Sequence, residues 1–154
     1  MSQQSSTVET TETDHAKANA QGWYETMQEQ LAAIATLEAG EDDDGNEVES
    51  VEIDGDTYTD VDAIREMIQE SVLSVEVRDG WKSPGSDGDG PEEFEILLTT
   101  GGPALRVRGD LGEHCEPTRA YLQYQDWGTP WTDFYTEGCG KIVLAWASNF
   151  WFGD

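Results

Sequence analysis

The sequence predicts an α+β fold: a curved antiparallel sheet of about four to five strands, with N-terminal helices and a short C-terminal helix. Three observations predict it. Apolar residues recur at the helical period before residue 72, and they alternate at the strand period between residues 73 and 124. The links between the alternating runs are short and rich in Gly, Pro and Asp, as hairpin connections require. At 154 residues the chain suits one domain around one core.

Residues 1–13 are polar and lack periodicity, so they are expected to form a disordered N-terminus. The domain then covers 14–154, divided into an acidic helical half (14–72) and an aromatic-rich sheet half (73–154). A helix is expected from about Asp14, because Trp23, Met27, Leu31 and Ile34 follow the 3.6-residue period and Gly40 stands where a C-terminal cap belongs. After a loop at 41–46, expected to be mobile, Val48, Val51 and Ile53 predict a short strand ending at the Asp54-Gly55-Asp56 turn. A second helix is expected from about Asp60 to Ser71, with Val61, Ile64 and Ile68 buried and Asp60 or Thr59 as N-cap.

The segments LSVEV (73–77), FEILLT (94–99), ALRVR (104–108) and AYLQY (120–124) read as strands. Arg106 and Arg108 alternate with Leu105 and Val107, which places both outward beside acids as cross-strand pairs. Ile142, Trp146 and Phe150 at i, i+4 and i+8 predict the closing helix.

Charge narrows the function classes. The formal charge is −25, from 33 acids against 8 bases, and 17 of the acids precede Ala63 with Lys17 as their only base. Twelve carboxylates lie between Glu38 and Asp62 without one Lys, Arg or His. They repel one another, so they contribute solubility but no folding energy. Such a surface disfavours direct contact with nucleic acid or anionic membranes, whose phosphates attract Lys and Arg, and favours basic protein partners. No run approaches the ~18 apolar residues of a membrane span. Two cysteines and no apolar leader core point to a cytoplasmic location. The aromatic content is compatible with a homodimer, which would double the acidic surface.

The second half, through LSVEVRDGW (73–81), FEILLTTGGPALRVRGDL (94–111), QYQDWGTPWTDF (123–134) and NFWFGD (149–154), resembles a family of small uncharacterised proteins encoded on phages, prophages and plasmids. The overall acidity is similar to that of DNA-mimic anti-defence proteins. No catalytic or ligand-binding residue carries over from either resemblance. They imply a setting on mobile elements, where small accessory proteins often counter host defence.

Residue chemistry gives little support to an enzyme, and no cofactor or metal is expected. His114 and Cys115 are neighbours on a loop without an identifiable orienting acid beyond Glu113 and Glu116. With Cys139 they make three zinc ligands of the four needed, lacking CxxC spacing. Asp42, Asp44 and Gly45 match part of an EF-hand loop, but Gly40 and Val51 occupy its first and twelfth positions. The Gly-rich segments GSDGDGP (85–91) and TTGGP (99–103) match no phosphate-binding pattern.

The acidity itself has three readings: a solvated surface, halophilic adaptation, or imitation of nucleic acid. B-DNA carries one charge per ~1.7 Å, so 25 charges equal roughly 42 Å of duplex, near the ~40 Å diameter of a compact chain of this length. On the second helix Asp62, Glu66 and Glu70 form a line with ~6 Å between successive members, too sparse alone to imitate both strands. Glu25 and Glu29 on the first helix and Asp42, Asp43 and Asp44 in the loop complete the expected partner-binding set. The expected function is therefore a non-enzymatic anti-defence inhibitor whose acidic surface blocks the basic nucleic-acid site of a host CRISPR effector subunit or restriction enzyme. The alternative is a phage structural or interaction protein that binds through Trp127, Trp131 and Phe150, its acids serving solubility.

Overall fold

The computed structural model describes residues 2–85, 90–100, 103–126 and 129–153, with side chains from residue 15 onward. Parts of both Gly-rich links (86–89 and 101–102) and the 127–128 pair, which includes Trp127, lie outside the described residues.

The fold is α+β, with the elements in the order α1 (Ser2–Ala39), β1 (Val51–Ile53), β2 (Asp56–Tyr58), α2 (Val61–Glu70), β3 (Ser74–Arg78), β4 (Glu93–Thr99), β5 (Ala104–Leu111), β6 (Pro117–Gln125), β7 (Thr132–Asp133) and α3 (Cys139–Ala147). Strands β3-β4-β5-β6-β7 form one antiparallel sheet in sequence order, and β1-β2 form a separate hairpin. The hairpin turns at Asp54 and Gly55, both with positive φ, the two-residue geometry that Asp-Gly favours.

Helix α1 begins at Ser2, not near Asp14. Residues 2–13 contain neither Gly nor Pro, and a helix nucleated by packing from Ala16 onward extends at one hydrogen bond per added residue. Its buried stripe runs through Ala16, Ala20, Tyr24, Met27 and Ile34, while Trp23 and Leu31 are half-buried at the margins. Gln30 lies on the same stripe and is the one buried polar side chain among the described residues. It accepts a 2.8 Å hydrogen bond from Nε1 of Trp146, which is wholly buried in α3, and its amide reaches Sδ of Met67 in α2. One amide thus links all three helices. A buried indole N–H without that acceptor would cost ~1–3 kcal/mol.

One face of the sheet is the core face: Phe94, Ile96, Leu98, Leu105, Val107, Leu111, Ala120 and Leu122 are buried. Helix α3 packs on β6, α1 packs on β5, β6 and α3, and Phe152 of the C-terminal segment stacks on Phe94 at 4.5 Å between ring centroids. Gly109 is required opposite Phe94 in the β4–β5 ladder, since a Cβ there would collide with the Arg119 carbonyl oxygen and come within 2.7 Å of the Phe94 ring. The opposite face of the sheet carries the charged positions. Register shifts at Leu97/Thr99 and Asp110/Leu111 interrupt two ladders, the irregularity that bends and twists sheets.

Candidate functional site

The acidic arm runs from the end of α1 to the end of α2. Between Glu38 and Glu70 the chain holds fourteen carboxylates and one base, Arg65. All of these acids are exposed except Asp42, which is half-buried. The 41–47 loop, expected to be mobile, is braced by local hydrogen bonds. The Asp42 carboxylate accepts from the backbone N–H groups of Asp44 (3.0 Å) and Asn46 (2.9 Å) and from Nδ2 of Asn46 (3.3 Å), and a Glu41–Glu47 bridge closes the loop. The Asn46 N–H is the largest cause of the lowering of the Asp42 pKa. Asp42 is therefore committed to shaping the turn, while Asp43 and Asp44 remain exposed.

Helix α2 presents the ordered part of the arm. The Asp60 side chain caps it by accepting from the Asp62 N–H at 3.1 Å, and Ile64 and Ile68 anchor its inner face. Asp62, Glu66 and Glu70 lie exposed along one line. Asp62 suits the positive end of the helix dipole, whereas Glu70, the last helical residue, sits at the negative end, where a carboxylate is unfavourable. Arg65 bridges Glu38 of α1 at 3.2 Å and Asp62 at 3.8 Å, tying the point where the loop departs to the middle of α2. Among the described residues no cation pairs with Glu66 or Glu70.

Glu25 and Glu29 are also exposed, on the side of α1 opposite its buried stripe. Their helix turns precede the stretch that meets α2 through Gln30 and Glu38, and nine residues of helix place Glu29 roughly 14 Å along the axis from Glu38. The set read from the sequence thus divides in two. Asp43 and Asp44 are carried at the end of α1 that Arg65 ties to the Asp62-Glu66-Glu70 line, and Glu25 and Glu29 stand further along α1.

The outer face of the sheet holds four of the eight bases, Arg78, Arg106, Arg108 and Arg119, and each meets a carboxylate. Arg106 pairs with Glu95 at 3.7 Å, donates to Oε1 of Gln123 at 2.8 Å, and lies 4.0 Å from the centroid of the Trp131 ring. Gln123 in turn donates to Asp133 of β7. Arg78 and Arg108 converge on Glu93; the hydrogen bond from Arg78 is the main cause that lowers the Glu93 pKa. Outward Arg-acid pairing was legible from the alternation around Arg106. The Trp131 stack was not, because it depends on how β7 returns to the sheet.

The residues weighed for catalysis and metal binding are dispersed. Cys115 is buried with φ of 60°, near Gly153; Cys139 is buried at the start of α3, its thiol directed to the Phe134 carbonyl at 3.7 Å. His114 is exposed, and its backbone N–H donates to Glu116. The Asp42 carboxylate, part of the broken EF-hand match, already accepts hydrogen bonds from N–H donors. Among the described residues no group of three or more His, Cys, Asp or Glu is placed to hold a metal ion. No described helix is long and apolar enough to cross a membrane. Of the aromatics considered as a docking surface, Phe150 is buried against Trp146 and Trp131 lies over Arg106; among the described residues the exposed aromatics are Trp81, Tyr121, Tyr135 and Trp151. Comparison of the chain with known protein families, curated proteins and solved structures finds no match.

Proposed function

We propose that the protein is a non-enzymatic inhibitor that competes with nucleic acid for the basic site of a host defence protein, a CRISPR effector subunit or a restriction enzyme. The observation that carries this reading is the unpaired state of the arm. The sheet face matches each arginine with a carboxylate, yet the arm carries fourteen carboxylates, thirteen of them exposed, against Arg65 alone, and Glu66 and Glu70 lie on a helix with no paired cation among the described residues. Like charges held close together raise the local potential and destabilise the chain that carries them, which makes sense for a surface that meets a basic partner.

The mechanism is competition. Lys and Arg that neutralise phosphates on DNA or RNA engage the arm instead, with steered association and strong salt sensitivity. Asp43, Asp44, Asp62, Glu66 and Glu70 form the main contact, and Glu25 and Glu29 extend it along α1. The aromatic-rich sheet is the scaffold.

The test is affinity capture from a defence-proficient bacterial host, at low and moderate salt, followed by competition with the captured protein's nucleic acid. Recovery of a nucleic-acid-binding defence protein, released by salt and displaced by its own substrate, is expected. Capture of no such protein, or capture that is indifferent to salt, overturns the proposal.

A further inference from the structure

We infer that the free edge of β3 is a docking site for an extended, basic strand of a partner protein, separate from the acidic arm. Strand β3 ends the sheet order, with β4 as its only strand neighbour among the described residues. Such an edge offers a row of backbone donors and acceptors to another strand.

Its side chains carry the second observation. Val75 and Val77 are in register with Ile96 and Phe94, two of the most deeply buried residues, and so belong to the core face. They are nonetheless 38% and 43% exposed, and Leu73 just before the strand is 59% exposed. The helices cover β5 and β6, and Phe152 covers Phe94, so the apolar layer stops one strand short of the sheet edge. The strand carries Glu76 and Arg78 on its outer face but neither a proline nor a charge on the core face, so its apolar side is left unguarded.

Charge specifies the occupant. On the outer face Glu76 stands opposite Glu95, a like-charge pairing that destabilises a ladder. Arg106 relieves Glu95, whereas Glu76 has no ion-pair partner among the described residues. Arg78, on the same face as Glu76, is taken up by Glu93, so the unmet charge of this edge is the Glu76 carboxylate. An incoming strand with Lys or Arg beside Glu76 and branched apolar residues beside Val75 and Val77 meets it and covers the apolar side. A second copy of the chain fits less well, because each copy carries −25 and the two would repel.

The experiment measures binding of the full chain to capped, labelled peptides. One alternates Val and Lys, one carries the same residues in two blocks, and one alternates Val and Gln. The alternating Val/Lys peptide is expected to bind at least about tenfold more tightly than the block peptide, and to slow amide exchange in 74–78. The charge-neutral variant Val75→Thr/Val77→Thr is expected to lose that preference, and Glu76→Gln to narrow the advantage of Val/Lys over Val/Gln. Equal binding of alternating and block peptides means attraction to the acidic arm alone and overturns the inference, as does unchanged exchange in β3. A dimer in sedimentation that Val75→Thr/Val77→Thr dissociates overturns it too, by showing that a second copy covers the edge.

Discussion

The acidic arm and the outer sheet face use carboxylates in opposite ways. On the sheet, Glu93, Glu95 and Asp110 each lie beside an arginine, and Trp131 closes over Arg106. The charges there hold one arrangement of strands. On the arm, apolar anchors such as Ile53, Ile64 and Ile68 hold the backbone, while most acids contribute nothing to that packing. The difference teaches where to look for function: charge that serves the fold is paired, and charge that opposes the fold needs another explanation.

Two substitutions set the contrast at its widest. Arg106→Met removes a half-buried guanidinium with a stacking partner, a hydrogen bond to Gln123 and an ion pair to Glu95. It is expected to lower stability by about 2 kcal/mol, read from urea denaturation, with no change in partner capture. The triple variant Asp62→Asn/Glu66→Gln/Glu70→Gln is expected to do the reverse: about tenfold or more weaker capture at low salt, with stability unchanged or slightly raised. A triple variant that unfolds would show the line to be structural and collapse the distinction.

The third prediction sharpens the arm from within. Asp60 is an arm carboxylate with a structural task, since it caps α2. Asp60→Ala is expected to cost about 1 kcal/mol in thermal or urea denaturation, whereas Asp43→Asn, at an exposed loop position, should change stability by less than about 0.5 kcal/mol.

How much of this was legible depends on how local each signal is. Helix α2 was read almost to the residue, because its cap and its apolar period are contained in ten residues. The four long strands were legible from alternation; the Ile142, Trp146, Phe150 spacing pointed to a closing helix, but α3 ends at Ala147, leaves Phe150 beyond it, and buries Val143 with Trp146 while Ile142 is half-buried. Strands β2 and β7 were missed: three and two residues are too few to show a period, and both are defined by a partner strand. Gln30 is absent from the residues that the sequence singles out. The signal available was its place on the Met27–Ile34 stripe, but its acceptor role is defined by Trp146, which lies 116 residues away in sequence. Among the candidate partner-binding acids all but Asp42 are exposed, and Asp42 is half-buried and braces its loop through hydrogen bonds with Asn46 that composition alone does not reveal.

The smallest expected effect separates the two regions by pH. Hydrogen bonding by Arg78 lowers the Glu93 pKa, so folding favours the ionised carboxylate. The stabilisation from such a group is present above the ordinary carboxylate pKa of ~4.3 and is lost as pH falls through the depressed folded-state value. Glu93→Gln should therefore be less stable than the native chain at pH 7, and the gap in urea midpoint should shrink as the pH drops below the ordinary range. Glu66→Gln should show no deficit at pH 7, because it removes a repulsion and no pair. A deficit for Glu66→Gln that vanishes on acidification would mean that Glu66 has a folding partner, and would move that residue from the surface that meets other molecules to the set that holds this one together.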